Sequence, residues 1–247
     1  MNDDSNILHN LQVIQQRINN ACKKANRNSN EVTLLLATKT VSAERIGIAL
    51  KAGYTLIGEN KVQEIKSKFE ALTTIPHQTH FIGHLQTNKI KDILTYNVAC
   101  IQTVDRIALA EKLHQRLLLT QQKIDVFIQV NTSAEESKFG VTPEKTIDLI
   151  KQVAALETLQ IKGLMTIGLF SAEAEKVRSC FKILKNLQQE IIQQNISNVI
   201  MQELSMGMSG DMEIAIEEGA TMIRVGTAIF GERIYPDSYY WNEQAKE

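Results

Sequence analysis

The chain has 247 residues, 43% of them hydrophobic, which is enough apolar material for a full core and too much for a disordered protein. Lys+Arg 27 against Asp+Glu 28 leaves a formal net charge of -1, so no global positive field gathers nucleic acid, although a local anion site is compatible with it. Cys22, Cys100 and Cys180 are odd in number, widely spaced and set in apolar patterns, which reads as reduced, packed thiols of a cytoplasmic protein rather than disulfides or a metal site.

The acidic start Met1-Asn2-Asp3-Asp4-Ser5 has no apolar h-region behind it, and no apolar run reaches membrane-spanning length. With 3 prolines and no Gly/Ser-rich linker, one domain over 1–247 is expected: an N-terminal helix over 1–28, a body over 32–233 and a tail over 234–247. A monomer is expected, with no nucleic-acid or membrane partner.

Ile7, Leu11, Ile14, Ile18 and Cys22 form one apolar stripe, predicting a helix laid on the outside of the body. After a polar break at 26–30, Leu34-Leu35-Leu36-Ala37-Thr38-Lys39-Thr40 reads as a buried strand with a lysine at its mouth, followed by a helix through Ile46, Ala49 and Leu50 that stops at Gly53. The unit then recurs. Strands are predicted at 54–60, 79–84, 98–104, 123–130 and 159–167, and again at 203–208 and 221–227. The helices between them carry Val62, Ile65 and Phe69 inward, then Ile107, Ala110, Leu113 and Leu117, then Val177, Phe181, Leu184 and Ile191. Asp105, Thr142 with Pro143 behind it, and Ser209 are the predicted caps. Eight strands alternating with helices, apolar on both faces, call for a closed (β/α)8 TIM-type barrel; an open doubly wound sheet would more often show a glycine-rich first turn, and residues 39–42 hold none.

In such a barrel the strand ends share one mouth, where Lys39, Asn60, His84, Asn131, Lys138, the 205–209 segment and Arg224 to Thr227 collect. Desolvation lowers an ammonium pKa and makes Lys39 a nucleophile; the plainer reading is a solvated strand-end lysine. Ser205, Met206, Gly207, Met208 and Ser209, with Gly226 and Thr227, offer small residues, hydroxyls and backbone N–H groups to a phosphate, while simple capping by Ser209 and turn geometry at the glycines are the alternatives. Arg224, in an apolar strand, needs an acceptor: either an acid such as Glu203 or a ligand atom. Asn60 either positions a ring or caps the next helix, and His84 either lines the mouth or is a structural histidine; no metal-ligand spacing surrounds it. Tyr235, Tyr239, Tyr240 and Trp241 are expected on the barrel exterior.

A lysine, a phosphate cradle and an arginine between them describe a pocket for pyridoxal 5′-phosphate (PLP). At this point the sequence resembles a known family. The segments 37–40, 58–64, 80–89, 163–166, 204–209 and 224–231 match the pattern of the pyridoxal phosphate homeostasis proteins from the first strand to the eighth. The resemblance implies a fold type III PLP-binding barrel like that of alanine racemase, with PLP as an aldimine on Lys39. It further implies phosphate contacts from 205–209, Gly226 and Thr227, and Arg224 facing the pyridine nitrogen. Val41 departs from the pattern, where relatives often carry a polar or basic residue.

Two functions share this pocket. A racemase needs a second base, which related racemases draw from a separate β domain for which no residues remain after the eighth unit, and an arginine at the ring nitrogen makes a poor electron sink. The resemblance favours the other function, a non-catalytic protein that holds PLP for intracellular vitamin B6 homeostasis and delivers it to apoenzymes. Lys138 is a candidate second amine for transfer or an ordinary loop lysine.

Overall fold

In the computed structural model, residues 3–135, 137–169 and 171–231 are described. The eight strands are β1 (Thr33–Ala37), β2 (Leu56–Glu59), β3 (Gln78–Phe81), β4 (Cys100–Val104), β5 (Ile124–Gln129), β6 (Leu159–Met165), β7 (Val199–Ser205) and β8 (Met222–Val225). Each is parallel to its neighbours and β8 returns to β1, closing the barrel in sequence order. The helices are α1 (Asp3–Lys24), α2 (Ala43–Lys51), α3 (Val62–Leu72), α4 (Ile90–Leu94), α5 (Ile107–Thr120), α6 (Pro143–Ala154), α7 (Ala174–Gln193), α8 (Met212–Glu217) and α9 (Thr227–Phe230).

The apolar runs are explained by two cores. Leu34 and Leu36 of β1 belong to the large layer between strands and helices, whereas Leu35 faces inward with Cys100, Phe127, Met165 and Met222 to fill the barrel. Strand parity therefore decides which residues of β1 see the interior, and Leu35 does. Cys22, Cys100 and Cys180 are free and buried, as the reading of reduced thiols requires. Among the described residues no helix is long and apolar enough to cross a membrane.

Helix α1 uses the predicted stripe: Ile7, Leu11, Ile14, Ile18 and Cys22 are buried against α2, α8 and α9. It ends at Lys24 rather than at residue 28, because Asn26 turns left-handed at φ 53 and a 3-10 turn over Ser29–Glu31 follows. Polar bonds add direction to the packing. Arg17 pairs with Glu213 at 2.6 Å and donates to the Ser209 carbonyl at 3.0 Å, and Asn10 donates to the Ile229 carbonyl at 3.0 Å. One external helix thus grips the elements that follow both β7 and β8.

Several local expectations are corrected. Lys68, not Phe69, is the buried residue of α3 at that turn, because its ammonium reaches polar partners behind β1 while Phe69 packs edge-on against Tyr96. Asp105 does not cap α5; Arg106 holds that position and Asp105 pairs with the Arg106 guanidinium at 2.6 Å. Ser209 does not cap α8, which starts after Asp211. Thr142 does stand before α6 with Pro143 in the first turn, without a side-chain cap bond. The tail aromatics at 235–241 lie outside the described residues.

Candidate functional site

The C-terminal rim between β7, β8 and β1 is built from backbone as much as from side chains. β8 pairs with β1 through Leu36↔Val225, so Ala37, the last residue of β1, lies beside Gly226, the first after β8, and Lys39 follows two residues further on. A Cβ at Gly226 would stand 2.8 Å from the Ala37 carbonyl oxygen, so only glycine lets these backbones approach as they do. Gly226 then accepts from the Ile229 and Phe230 amides, both at 2.9 Å, and the amides of Thr227 and Ala228, first in α9, have no carbonyl within the helix to reach.

The loop from 206 to 211 makes the adjoining wall. Gly207 has φ 94, and a Cβ there would meet Ala215 at 2.5 Å; its carbonyl accepts from the Arg224 amide at 3.0 Å. The Met208 amide donates to Asp211 Oδ1 at 2.6 Å, which closes the turn ahead of α8. The sequence-predicted segments 205–209 and 224–227 are therefore brought together, and Gly226 lies against Ala37 at the end of β1.

Arg224 has no pairing with Glu203, whose carboxylate instead accepts from Thr221 Oγ1 at 2.5 Å. The guanidinium donates to Ser205 Oγ at 2.8 Å and to the Thr166 carbonyl at 2.7 Å. Burial pulls it down to about 10, with Asp211 opposing, so it stays charged at neutral pH. Ser205 passes the bond on: its hydroxyl donates to Gln102 Oε1 at 2.6 Å, which leaves the Gln102 amide to face His80 Nδ1 at 2.8 Å. Since that ring nitrogen accepts, His80 is neutral with its proton on Nε2, and burial depresses its pKa to about 4. The Ser205 hydroxyl thus links Gln102 and Arg224 inside the barrel.

Neither His80 nor Gln102 stood out as a site residue in the sequence. The available signal was an amide in the apolar run Cys100-Ile101-Gln102-Thr103-Val104 at the same parity as inward Cys100.

The remaining rim residues are spread further round. Gly83 packs so tightly on β2 that a Cβ would lie 2.0 Å from the Asn60 carbonyl oxygen. Lys61, not Asn60, is the capping position of α3, and Asn60 Oδ1 is buried with no hydrogen-bond partner among the described residues. His84 stacks on Phe139, ring centroids 3.8 Å apart at 17°, with Nδ1 3.7 Å from Asp105 Oδ2. Lys138 lies on the loop after β5, across the barrel from β1; it donates to the Gly168 carbonyl at 2.8 Å and pairs with Glu135 at 2.5 Å. Asn131 braces that loop by donating to the Glu135 carbonyl at 2.8 Å.

Comparison with known proteins agrees with this geometry. The sequence profile of the alanine racemase N-terminal domain family matches residues 3–234. A protein of Aquifex aeolicus named pyridoxal phosphate homeostasis protein is 42% identical over 230 residues, covering 93% of this chain and 100% of its own length. The structure of PipY from Synechococcus elongatus with PLP bound superposes with a TM-score of 0.77 at 32% identity, covering 88% of this chain and 100% of that one. Alanine racemase of Clostridium difficile shares the fold, with a TM-score of 0.73 at 14% identity over 94% of this chain and 58% of that chain. This closed eight-stranded parallel barrel, matched at this level over nearly its whole length, belongs to the pyridoxal phosphate homeostasis protein family.

Proposed function

We propose that the protein binds PLP covalently through Lys39 and keeps it available for other proteins without substantial turnover of amino acids. When bound, PLP supplies an aldehyde that condenses reversibly with a primary amine, and a phosphate at the opposite end of the ring. The observation that carries the reading is the close approach of the β1 end to Gly226, two residues before Lys39, where a Cβ would stand 2.8 Å from the Ala37 carbonyl oxygen. The residues fit the group. The rim offers an amine, backbone amides at Thr227 and Ala228, a left-handed Gly207, and a buried, unpartnered Asn60 Oδ1. PipY, which belongs among the similar solved structures, carries PLP.

In this reading Lys39 Nζ would hold the aldehyde end. Met206, Gly207, Met208, Ser209, Gly226 and Thr227 would hold the phosphate, with Ser205 orienting Arg224. Asn60 and His84 would hold the ring. Arg224 is a donor only, held by Ser205 and Thr166 and charged at neutral pH, so it would hold the ring nitrogen unprotonated. That weakens the ring as an electron sink and favours storage and delivery over racemisation. Apoenzymes that use PLP are the proposed recipients, and the cytoplasm, with the protein as a monomer, is the proposed setting.

The test is direct. Purified protein should show a yellow absorption band, and borohydride reduction followed by peptide mapping should place the label on Lys39, with Lys39→Ala colourless. A label on another lysine overturns the assignment, and steady turnover of L-alanine would establish the racemase reading instead.

A further inference from the structure

Behind the lysine, outside the pocket, lies a charged cluster that the binding reading leaves unused. Lys68 of α3 is 8% exposed and Glu59 of β2 is 1% exposed. The Lys68 ammonium donates to Glu59 Oε1 at 2.8 Å, Glu64 Oε2 at 2.9 Å and the Thr38 carbonyl at 2.9 Å. Glu59 Oε1 also accepts from Thr38 Oγ1 at 2.6 Å, and Glu64 Oε2 accepts from the Thr40 amide at 2.7 Å. Every one of these bonds ends on the residue before Lys39, the residue after it, or a partner in the cluster.

Thr40 explains why a clamp is needed. It has φ 65, a left-handed conformation that a β-branched residue enters at a cost, and such a residue persists only where its surroundings hold it. The Glu64 carboxylate supplies that hold. A buried ion pair alone is a poor way to gain stability, since apolar residues of the same volume often do as well or better. We infer that Glu59, Glu64 and Lys68 are positioning residues for Lys39, two carboxylates bound to one ammonium that fix the backbone on both sides of it and so aim its amine into the barrel mouth.

The inference rests on the reading of Lys39 as the attachment point. Burial pushes the Glu59 carboxyl up, against the pull of Lys68; burial acts upward on Glu64 too, but Lys68 and the Thr40 amide outweigh it and leave that carboxyl low. Glu64 is therefore the charged partner that acts on Thr40, and its side chain, 19% exposed, can be replaced without burying a new charge.

The experiment compares wild type, Glu64→Met, Glu64→Gln and Glu64→Met with Thr40→Gly, each checked for folding by thermal unfolding. PLP attachment is followed by the absorption band, and exchange of the Thr40 amide is followed without PLP. Glu64→Met is expected to weaken attachment about tenfold. Glu64→Gln, which keeps an acceptor, should lose about threefold. Adding Thr40→Gly should restore most of the loss, because glycine enters the left-handed region freely. Faster Thr40 amide exchange in Glu64→Met is the matching signature in the protein without PLP. Attachment at the wild-type level in both Glu64 variants, or no recovery from Thr40→Gly, overturns the inference while leaving Lys39 in place. A wild-type protein that never attaches PLP at Lys39 removes both readings.

Discussion

Protonation of His80 should destabilise the protein by an amount that follows from where the ring sits. It is 8% exposed, packs edge-on to Phe127, and accepts from Gln102 through Nδ1. Adding a proton would set two donors against each other and break the chain that runs through Ser205 to Arg224. The folded pKa is depressed to about 4 from an ordinary 6.5. The unfolded chain therefore binds the proton first as pH falls, and the stability of the neutral state is fully present above about 6.5 and is lost as pH drops toward about 4. At about 1.4 kcal/mol per pKa unit, the loss between neutral pH and about pH 5 is about 2 kcal/mol. Urea unfolding of wild type and His80→Gln at both pH values isolates this from the carboxylates. The difference in stability between the two pH values should be smaller by about that amount in the variant. An equal pH dependence in both proteins would refute the neutral, accepting imidazole.

Two further outcomes test the rim and its support. Gly226→Ala places a methyl 2.8 Å from the Ala37 carbonyl oxygen, a rigid backbone atom, so the β1 and β8 ends must part; PLP titration by absorbance should show attachment weakened at least about tenfold, and wild-type binding would show that the close approach is not needed. Ile14→Ala removes a 1% exposed side chain from beneath α1 and should cost about 2–5 kcal/mol in urea unfolding, whereas a change under about 1 kcal/mol would mean that α1 is not packed as described.

Much of the architecture was legible because it is written in local periodicity. The step of α1, the unbroken run of β1 and the recurrence of strand and helix are properties of neighbouring residues, and together they leave a closed parallel barrel as the simple solution. The lysine after the first strand and the glycines after the seventh and eighth are legible for the same reason: each is a residue type at odds with the run it ends.

What local pattern cannot reveal is a bond between distant residues. Lys68 did not stand out beside Phe69, because nothing in the turn of α3 announces that Thr38 and Glu59 lie within its reach. Ser205 stood out only as a hydroxyl at a strand end, and its bonds to Gln102 and Arg224 join residues 103 and 19 positions away. By itself the sequence determined the order of the elements and the chemistry available at the rim. Only closure of β8 onto β1 decided which polar groups meet, since a buried hydrogen bond is set by the few ångströms between its atoms and those distances exist only once the barrel is shut.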